Sequence, residues 1–327
     1  MSPFNITILG TNGMLSSAIT GAIDLFSLAG ITWHHIHHTQ PQQIFDVSLC
    51  SVDKAPFKCI NGIQLLPHKD IASVVTADLV LVPTIGGDLT LVTENNQALL
   101  THLRRLYDTG CKIASNCTGA FLLAEAGLLD GKVATTHWGY ETPFKQRYPQ
   151  VQLDISRLVT HQDGVYCSGG GVAWLDLVLL LIAEFCGEQV AEETAKAHVL
   201  DHARTSQRAY TSIQQKTLHG DMAIAKVQHY ILTHYTENVD IAVLADIANM
   251  SPRTFSRRFK AACEMTPQQY VQSVRIEHAR KQLDITAKPI EQIVHDVGYS
   301  DVSSFIQLFK RWVGQSPHQY RMRKTRG

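Results

Sequence analysis

Two kinds of chemistry can be read from this sequence, and the first rests on one thiol. Cys117 stands in Asn116-Cys117-Thr118-Gly119-Ala120, between a short apolar run, Lys112 to Ser115, and an apolar segment, Phe121 to Ala126. A strand that turns sharply into a helix exposes the turn residue, and the helix N-terminus favours thiolate. Of the seven cysteines, Cys117 is therefore the candidate nucleophile. His137 is the available imidazole. An activated thiol needs a base and an acid that orients the base. A small residue packed in a tight turn accounts for Cys117 equally well. The stronger reading is a pocket that binds a small molecule without converting it. Its lining would be Cys117, Thr118, His137, Trp138, and Gly86 and Gly87 of the segment Pro83 to Asp88. Trp138 is a candidate wall for a cationic ligand.

The second chemistry is the reading of a duplex. Val243 to Lys260 reads VLADIANMSPRTFSRRFK, and Ile293 to Lys310 reads IVHDVGYSDVSSFIQLFK. Shifted by 50 with no gap, Asp246 falls on Asp296, Phe255 on Phe305, Phe259 on Phe309 and Lys260 on Lys310. A fixed period with aromatics in register means one supersecondary unit used twice. In the first copy Leu244, Ala245, Ile247 and Ala248 form a short apolar stripe, Ser251 is a good N-cap, and Pro252 suits the first helical position. Phe255 and Phe259 share a face, which turns Arg253, Ser256 and Arg257 outward. In the second copy Gly298 permits the turn and Ser300 or Asp301 can cap. A helix locked from behind by two aromatics, with short polar and guanidinium groups in front, suits a major groove. From Met222 onward the chain has 15 Lys and Arg against 9 Asp and Glu, a net of +6. The remainder has 14 against 20, a net of −6, so the overall zero conceals a basic half that carries the repeat.

These side chains need two different scaffolds. Asn5 to Leu9, Trp33 to His38, Val47 to Val52, Ala77 to Val82 and Lys112 to Ser115 read as strands. Ala18 to Leu28, Glu94 to Asp108, Phe121 to Ala126 and Ala173 to Phe185 read as helices, with Ser168 to Gly171 permitting close backbone approach before the last. The alternation predicts a doubly wound α/β domain of the flavodoxin-like kind, whose ligands sit beyond the C-terminal ends of strands. Pro83 to Asp88 and Asn116 to Gly119 both lie there. The histidines at 34, 35, 37 and 38 do not converge if they alternate along a strand, so no metal is expected, and no cofactor. Glu192 to Gln215 reads as a polar, helical stretch. At 327 residues two domains are expected: 1–206, a linker at 207–221, and an all-α part at 222–327, where a long helix from Pro267 to Leu283 joins the repeats. An odd cysteine number without C-x-x-C points to a reducing compartment, the cytoplasm. No leader is read, and the apolar run Val172 to Ala183 is too short to span a bilayer.

The phrases MSPRTFSRRFK, TPQQYVQSVRIEHARKQL and IVHDVGYSDVSSFIQLFKRWVGQSPHQYR resemble the AraC family of transcriptional regulators. That resemblance implies seven helices, with both recognition helices in successive major-groove faces of double-stranded DNA. It implies base-facing roles for Arg253, Ser256 and Arg257, and for Val302, Ser303 and Gln307, with Lys260 and Lys310 also on DNA. CTGAFLLAEAGLLDG followed by ATTHW resembles the PfpI-type, amidotransferase-like domain of the GlxA family, over roughly Asn5 to Cys186. That resemblance implies a histidine and an acid paired with the elbow cysteine, and often a glutamate in the loop after the first strand; Thr11 to Thr20 here contains neither Asp nor Glu, which weakens the catalytic reading. The pair implies a non-enzymatic, homodimeric regulator that answers a small effector, an amino-acid derivative or quaternary amine, and works with RNA polymerase. The alternative is a bifunctional protein with Cys117-dependent, hydrolase- or amidase-like activity.

Overall fold

Short runs of Val, Ile and Leu bounded by turn residues become strands buried on both faces, as a covered parallel sheet requires. The computed structural model describes residues 2–200, 206–207, 221–263 and 265–325, with side chains described to 322. The strands are β1 Phe4–Leu9, β2 Phe45–Ser51, β3 Phe57–Lys58, β4 Gln64–Leu65, β5 Lys69–Asp70, β6 Leu79–Val82, β7 Lys112–Asn116, β8 Val133–Ala134, β9 Gln152–Leu153, β10 Val159–Gln162 and β11 Val165–Ser168. Seven form one sheet in the order β10-β11-β7-β6-β1-β2-β5. All its pairings are parallel except β10 with β11. The remaining four strands form two small ribbons. The chain divides into two units, Met1–Gln207 and Arg208–Gly327.

In the first unit the helices are α1 Ser16–Leu28, α2 Thr32–Ile36, α3 Leu89–Asn95, α4 Gln97–Asp108, α5 Gly119–Glu125, α6 Glu141–Arg147, α7 Trp174–Cys186 and α8 Glu188–Ala197. α1 packs with α7, α7 with α8, and α4 with α5, so helical layers enclose the sheet. Ile6, Ile8, Val80, Leu81, Ile113 and Ala114 are fully covered between them. The chain runs outward from β1 to β2 and β5, then returns to the other side for β6, β7 and β11. The reversal lies between β1 and β6, which is where such sheets open a crevice.

Three local expectations are corrected. Trp33 to His38 is not a strand: Thr32–Ile36 is helical, and the four histidines lie on or just beyond it. Trp33 lies over the His37 ring, with centroids 4.1 Å apart, and α2 packs against α8 rather than joining the sheet. Among the described residues no group of three or more His, Cys, Asp or Glu is arranged to hold a metal. The expected helix from Glu94 to Asp108 is two helices, because Asn96 turns its amide onto the Val92 carbonyl (2.7 Å) and competes with the backbone ladder. The helix expected from Glu192 ends at Ala197, and Val199 beyond it has a positive φ of 54°. Residues 201–205, and 208–220 within the linker expected at 207–221, lie outside the described residues.

The second unit contains α9 Met222–His234, α10 Ile241–Ile247, α11 Pro252–Cys263, α12 Pro267–Ile285, α13 Ile290–Asp296, α14 Val302–Val313 and α15 Pro317–Thr325. The shift of 50 holds for α11 onto α14, whose first and last residues coincide under it. It does not hold for α10 onto α13. There the shift is 49: the buried pair Leu244 and Ala245 matches Ile293 and Val294, and the positive-φ turn residue Asn249 matches Gly298. Asp246 therefore corresponds to His295, not Asp296. The second turn is one residue longer than the first. Each repeat then ends on the same cap: Thr266 with Gln269, and Ser316 with Gln319, exchange the two hydrogen bonds of a capping box. No helix among the described residues is long and apolar enough to cross a membrane.

Candidate functional site

Cys117 follows the last residue of β7 and adopts φ +57°, a left-handed conformation that costs a β-carbon residue energy. The turn is held from several sides. Its amide donates to the Ser168 carbonyl (2.9 Å), and its carbonyl accepts from Thr136 Oγ1 (2.7 Å). Thr118 Oγ1 accepts from the Ile85 amide (3.0 Å) and donates to the Ile85 carbonyl (2.5 Å). Gly119 follows because a β-carbon there would stand 2.5 Å from the Val82 carbonyl oxygen. The strand-to-helix elbow is thus present, and Cys117 at its apex is 4% exposed.

The loops after β1 and β6 close together beside it. The Leu15 amide donates to the Thr84 carbonyl, and the Gly86 amide to the Gly13 carbonyl, both at 2.9 Å. Asn116 Nδ2 reaches Ser168 Oγ and the Gly169 carbonyl, each 3.1 Å, and its Oδ1 takes the Thr84 hydroxyl. Gly86 lies under Ile60, whose Cδ1 would stand 2.2 Å from an added β-carbon, while Gly87 takes φ +102°. The structure therefore brings Cys117, Thr118 and the Gly86 loop together. It uses the Thr118 hydroxyl on the scaffold, which removes that group from direct ligand recognition.

His137 comes to the same layer by another route. A β-carbon at Gly170 would fall 1.9 Å from its Cδ2, so the ring packs flat on that glycine. Nδ1 accepts from the Gly139 amide (2.9 Å), which fixes the proton of the neutral ring on Nε2. The ring stacks on Trp138 (5.0 Å) and meets Tyr140 edge-on (5.9 Å). Burial holds the imidazole below its ordinary value, so it is neutral at pH 7. Among the described residues no imidazole nitrogen is hydrogen-bonded to Cys117 Sγ, and no carboxylate is hydrogen-bonded to His137. Burial meanwhile pushes Cys50 and Cys167 up to about 11 and Cys111 up to about 12, which leaves those thiols protonated and inert.

Gln207 is a residue of this layer that sequence reasoning missed. Its side chain is buried, donating to the Thr136 carbonyl (2.8 Å) and Thr135 Oγ1 (3.1 Å) and accepting from the Gly170 amide (3.2 Å). A lone glutamine in a polar, aperiodic stretch carries no signal of burial.

In the second unit Phe255, Phe259, Phe305 and Phe309 are all fully buried. Phe259 meets Tyr270 of α12 edge-on, and Phe309 meets Tyr320 of α15 in the same way. Arg253, Arg257 and Lys260 of α11 are exposed and Ser256 is half-buried. On α14, Ser303, Gln307 and Lys310 are exposed, whereas Val302 is half-buried and packed on the buried cluster that includes Ile293, Phe305 and Phe309. Arg258, although cationic and on α11, is paired with Asp221, the cap of α9. Arg275 of α12 donates to the Tyr235 and Glu237 carbonyls (2.6 and 2.7 Å) and lies over the Tyr299 ring (5.0 Å), so it fastens the second turn to the end of α9.

Residues 6–183 match the DJ-1/PfpI family, and residues 244–323 match a helix-turn-helix domain. The HTH-type transcriptional regulator CdhR of Pseudomonas aeruginosa is 30% identical over 274 residues, 83% of this chain and 80% of that protein. The HTH-type transcriptional regulator GlxA of Rhizobium meliloti is 30% identical over 226 residues, 68% of this chain and 69% of that protein. An isonitrile hydratase of Pseudomonas putida is 28% identical over 201 residues, 55% of this chain and 85% of that protein. Among solved structures, a ThiJ/PfpI family protein from Pseudomonas syringae matches with a TM-score of 0.53 at 20% identity, over 65% of this chain and 81% of that one. The last likeness concerns the fold alone.

Proposed function

The chain belongs to the DJ-1/PfpI family, carries an AraC-type helix-turn-helix domain behind that fold, and is a DNA-binding transcriptional regulator; from this premise we propose that its N-terminal unit senses a small metabolite and converts nothing. The observation that carries the proposal is the elbow without its partners. Cys117 has the turn of a nucleophile, but among the described residues no base is hydrogen-bonded to its sulfur, and the neutral His137 spends Nδ1 on a backbone amide. What supports a binding site is that the Gly86 loop is joined to Thr118, and that Thr136, beside the His137–Trp138 stack, is hydrogen-bonded to Cys117. The elbow's backbone strain favours the hydrolase- or amidase-like alternative, and the lack, among the described residues, of a base hydrogen-bonded to Cys117 and an acid hydrogen-bonded to His137 opposes it.

In this reading the ligand prefers one conformation of the unit and thereby shifts DNA affinity. The aromatic stack beside Gly170 suits an amino-acid derivative or a quaternary amine. The regulator acts as a homodimer in the cytoplasm, with RNA polymerase as its downstream partner. Arg253, Arg257 and Gln307 face bases, Ser256 and Ser303 flank them, and Lys260 and Lys310 meet phosphates. Isothermal titration of the full chain with a panel of amino-acid derivatives and quaternary amines tests the sensor. Saturable heat that is lost in His137→Ala or Trp138→Ala supports it; catalytic turnover that disappears in Cys117→Ala would replace it with the enzyme.

A further inference from the structure

The strongest unassigned feature is a ring of hydrogen bonds that starts and ends at the elbow. Asn116 Nδ2 donates to the Gly169 carbonyl (3.1 Å), and the next amide, Gly170, donates to Gln207 Oε1 (3.2 Å). Gln207 Nε2 donates to the Thr136 carbonyl (2.8 Å), and Thr136 Oγ1 donates to the Cys117 carbonyl (2.7 Å). Gln207 Nε2 also touches Thr135 Oγ1 (3.1 Å) and the Arg157 carbonyl (3.4 Å). The ring is sterically committed. A β-carbon at Gly169 would stand 2.6 Å from Gln207 Oε1, and one at Gly170 would overlap His137. The backbone of the same segment is pinned too: Ser206 forms a β-bridge with Arg157, and its hydroxyl donates to the Ser156 carbonyl (2.8 Å).

Gln207 is 2% exposed and is the last residue of the N-terminal unit; the next residue begins the unit that binds DNA. A buried amide is stable only while its donors and acceptors are all met. Displacement of Gly170 takes from Gln207 Oε1 the donor it uses here, and displacement of Thr136 takes from Nε2 its shortest acceptor. We propose that Gln207 is a positioning residue that ties the seat of Cys117 to the chain entering the DNA-binding unit, so that elbow and DNA are thermodynamically coupled through this side chain. The proposal rests on the sensor reading for its purpose but not for its test. Coupling of binding free energies between two sites is reciprocal, so bound DNA must shift the conformation of the elbow, which the reactivity of Cys117 reads.

The full chain is labelled with iodoacetamide, and the modification rate of Cys117 is followed peptide by peptide. Labelling is compared with and without a saturating duplex enriched from a random-sequence library. In the unaltered chain the duplex changes the Cys117 rate by about fivefold or more, the lower end of ordinary allosteric coupling. In Gln207→Leu the duplex still binds and the ratio of the two rates falls to one. Thr136→Val opens the ring at its other joint, keeps the side-chain shape, and gives the same loss should the Leu variant fold poorly. A merely structural glutamine would alter the rates but leave their ratio intact. An unchanged ratio in both folded variants, or no effect of bound duplex on the unaltered chain, overturns the proposal. Duplex-dependent labelling without heat from any metabolite would instead keep the ring and remove the sensor.

Discussion

At the scale of single residues, the two units respond differently to the same kind of change. His137 is held neutral by burial, so its folded pKa lies below the ordinary 6.5. The unfolded chain then binds more protons in mild acid, and the stability this neutral ring contributes is present above pH 6.5 and lost as pH falls through the folded value. Thermal unfolding of the full chain between pH 8 and pH 5 should show that slope in its N-terminal transition, and His137→Asn should flatten it. An equal slope in the variant assigns it to other groups. In the second unit, Phe259 is a fully buried ring against Tyr270 and Phe255. Phe259→Ala should cost about 3–5 kcal/mol of stability by emptying that core. Denaturant titration measures this, and a loss below about 1 kcal/mol would mean that the ring does not hold the helix.

At the scale of elements, the turn is where the two repeats differ, and the difference is testable. Gly298 has φ +84°, and a β-carbon on it would meet the Thr236 carbonyl oxygen at 2.5 Å; Asn249, its counterpart, has φ +53°. Gly298→Ala should cost more than the roughly 1–2 kcal/mol of left-handed backbone alone, because it adds that clash. Asn249→Gly should be near neutral. Melting temperatures of the two variants decide it, and equal shifts would place both turns in one environment. The same turn shows where sequence reading succeeds and fails. Phe255 and Phe259 are spaced for one helical face, so their burial, and that of their echoes, was legible from period alone. The one-residue difference between the turns was not, because the ungapped shift placed one aspartate on another and hid the slip. Helix α2 was misread because Trp and His are compatible with strands, and only contact with α8 settles the matter. Strands β1, β2, β6 and β7 were legible as apolar, β-branched runs, whereas the short edge strand β5 and the polar-interrupted β10 and β11 were not read, and neither was the ring through Gln207, since a buried amide is specified by partners far along the chain.

For the whole molecule, charge and register together set what the proposed DNA readout predicts. α11 and α14 carry equivalent exposed positions fifty residues apart: Arg253 with Ser303, Arg257 with Gln307, Lys260 with Lys310. In the proposed reading α11 would offer guanidinium groups, which suit guanine O6 and N7, and α14 an amide, which suits adenine N6 and N7. Arg258 is paired with Asp221, and half-buried Val302 packs on the core around Phe305 and Phe309. Selection from a random duplex library with the full chain should therefore enrich an asymmetric site. One block carries guanine and the other adenine, with centres about 10 base pairs apart, one turn of duplex. Arg257→Ala should relax a guanine column by about 1–3 kcal/mol of discrimination, and Gln307→Ala an adenine column in the other block. Lys260→Ala and Lys310→Ala should instead weaken all sequences alike and lower the slope of log affinity against log salt by about 1 each. Enrichment of a single block would mean that only one of the two helices reads bases. A uniform loss from Arg257→Ala would move that residue to the phosphates and leave specificity to the shape of the duplex.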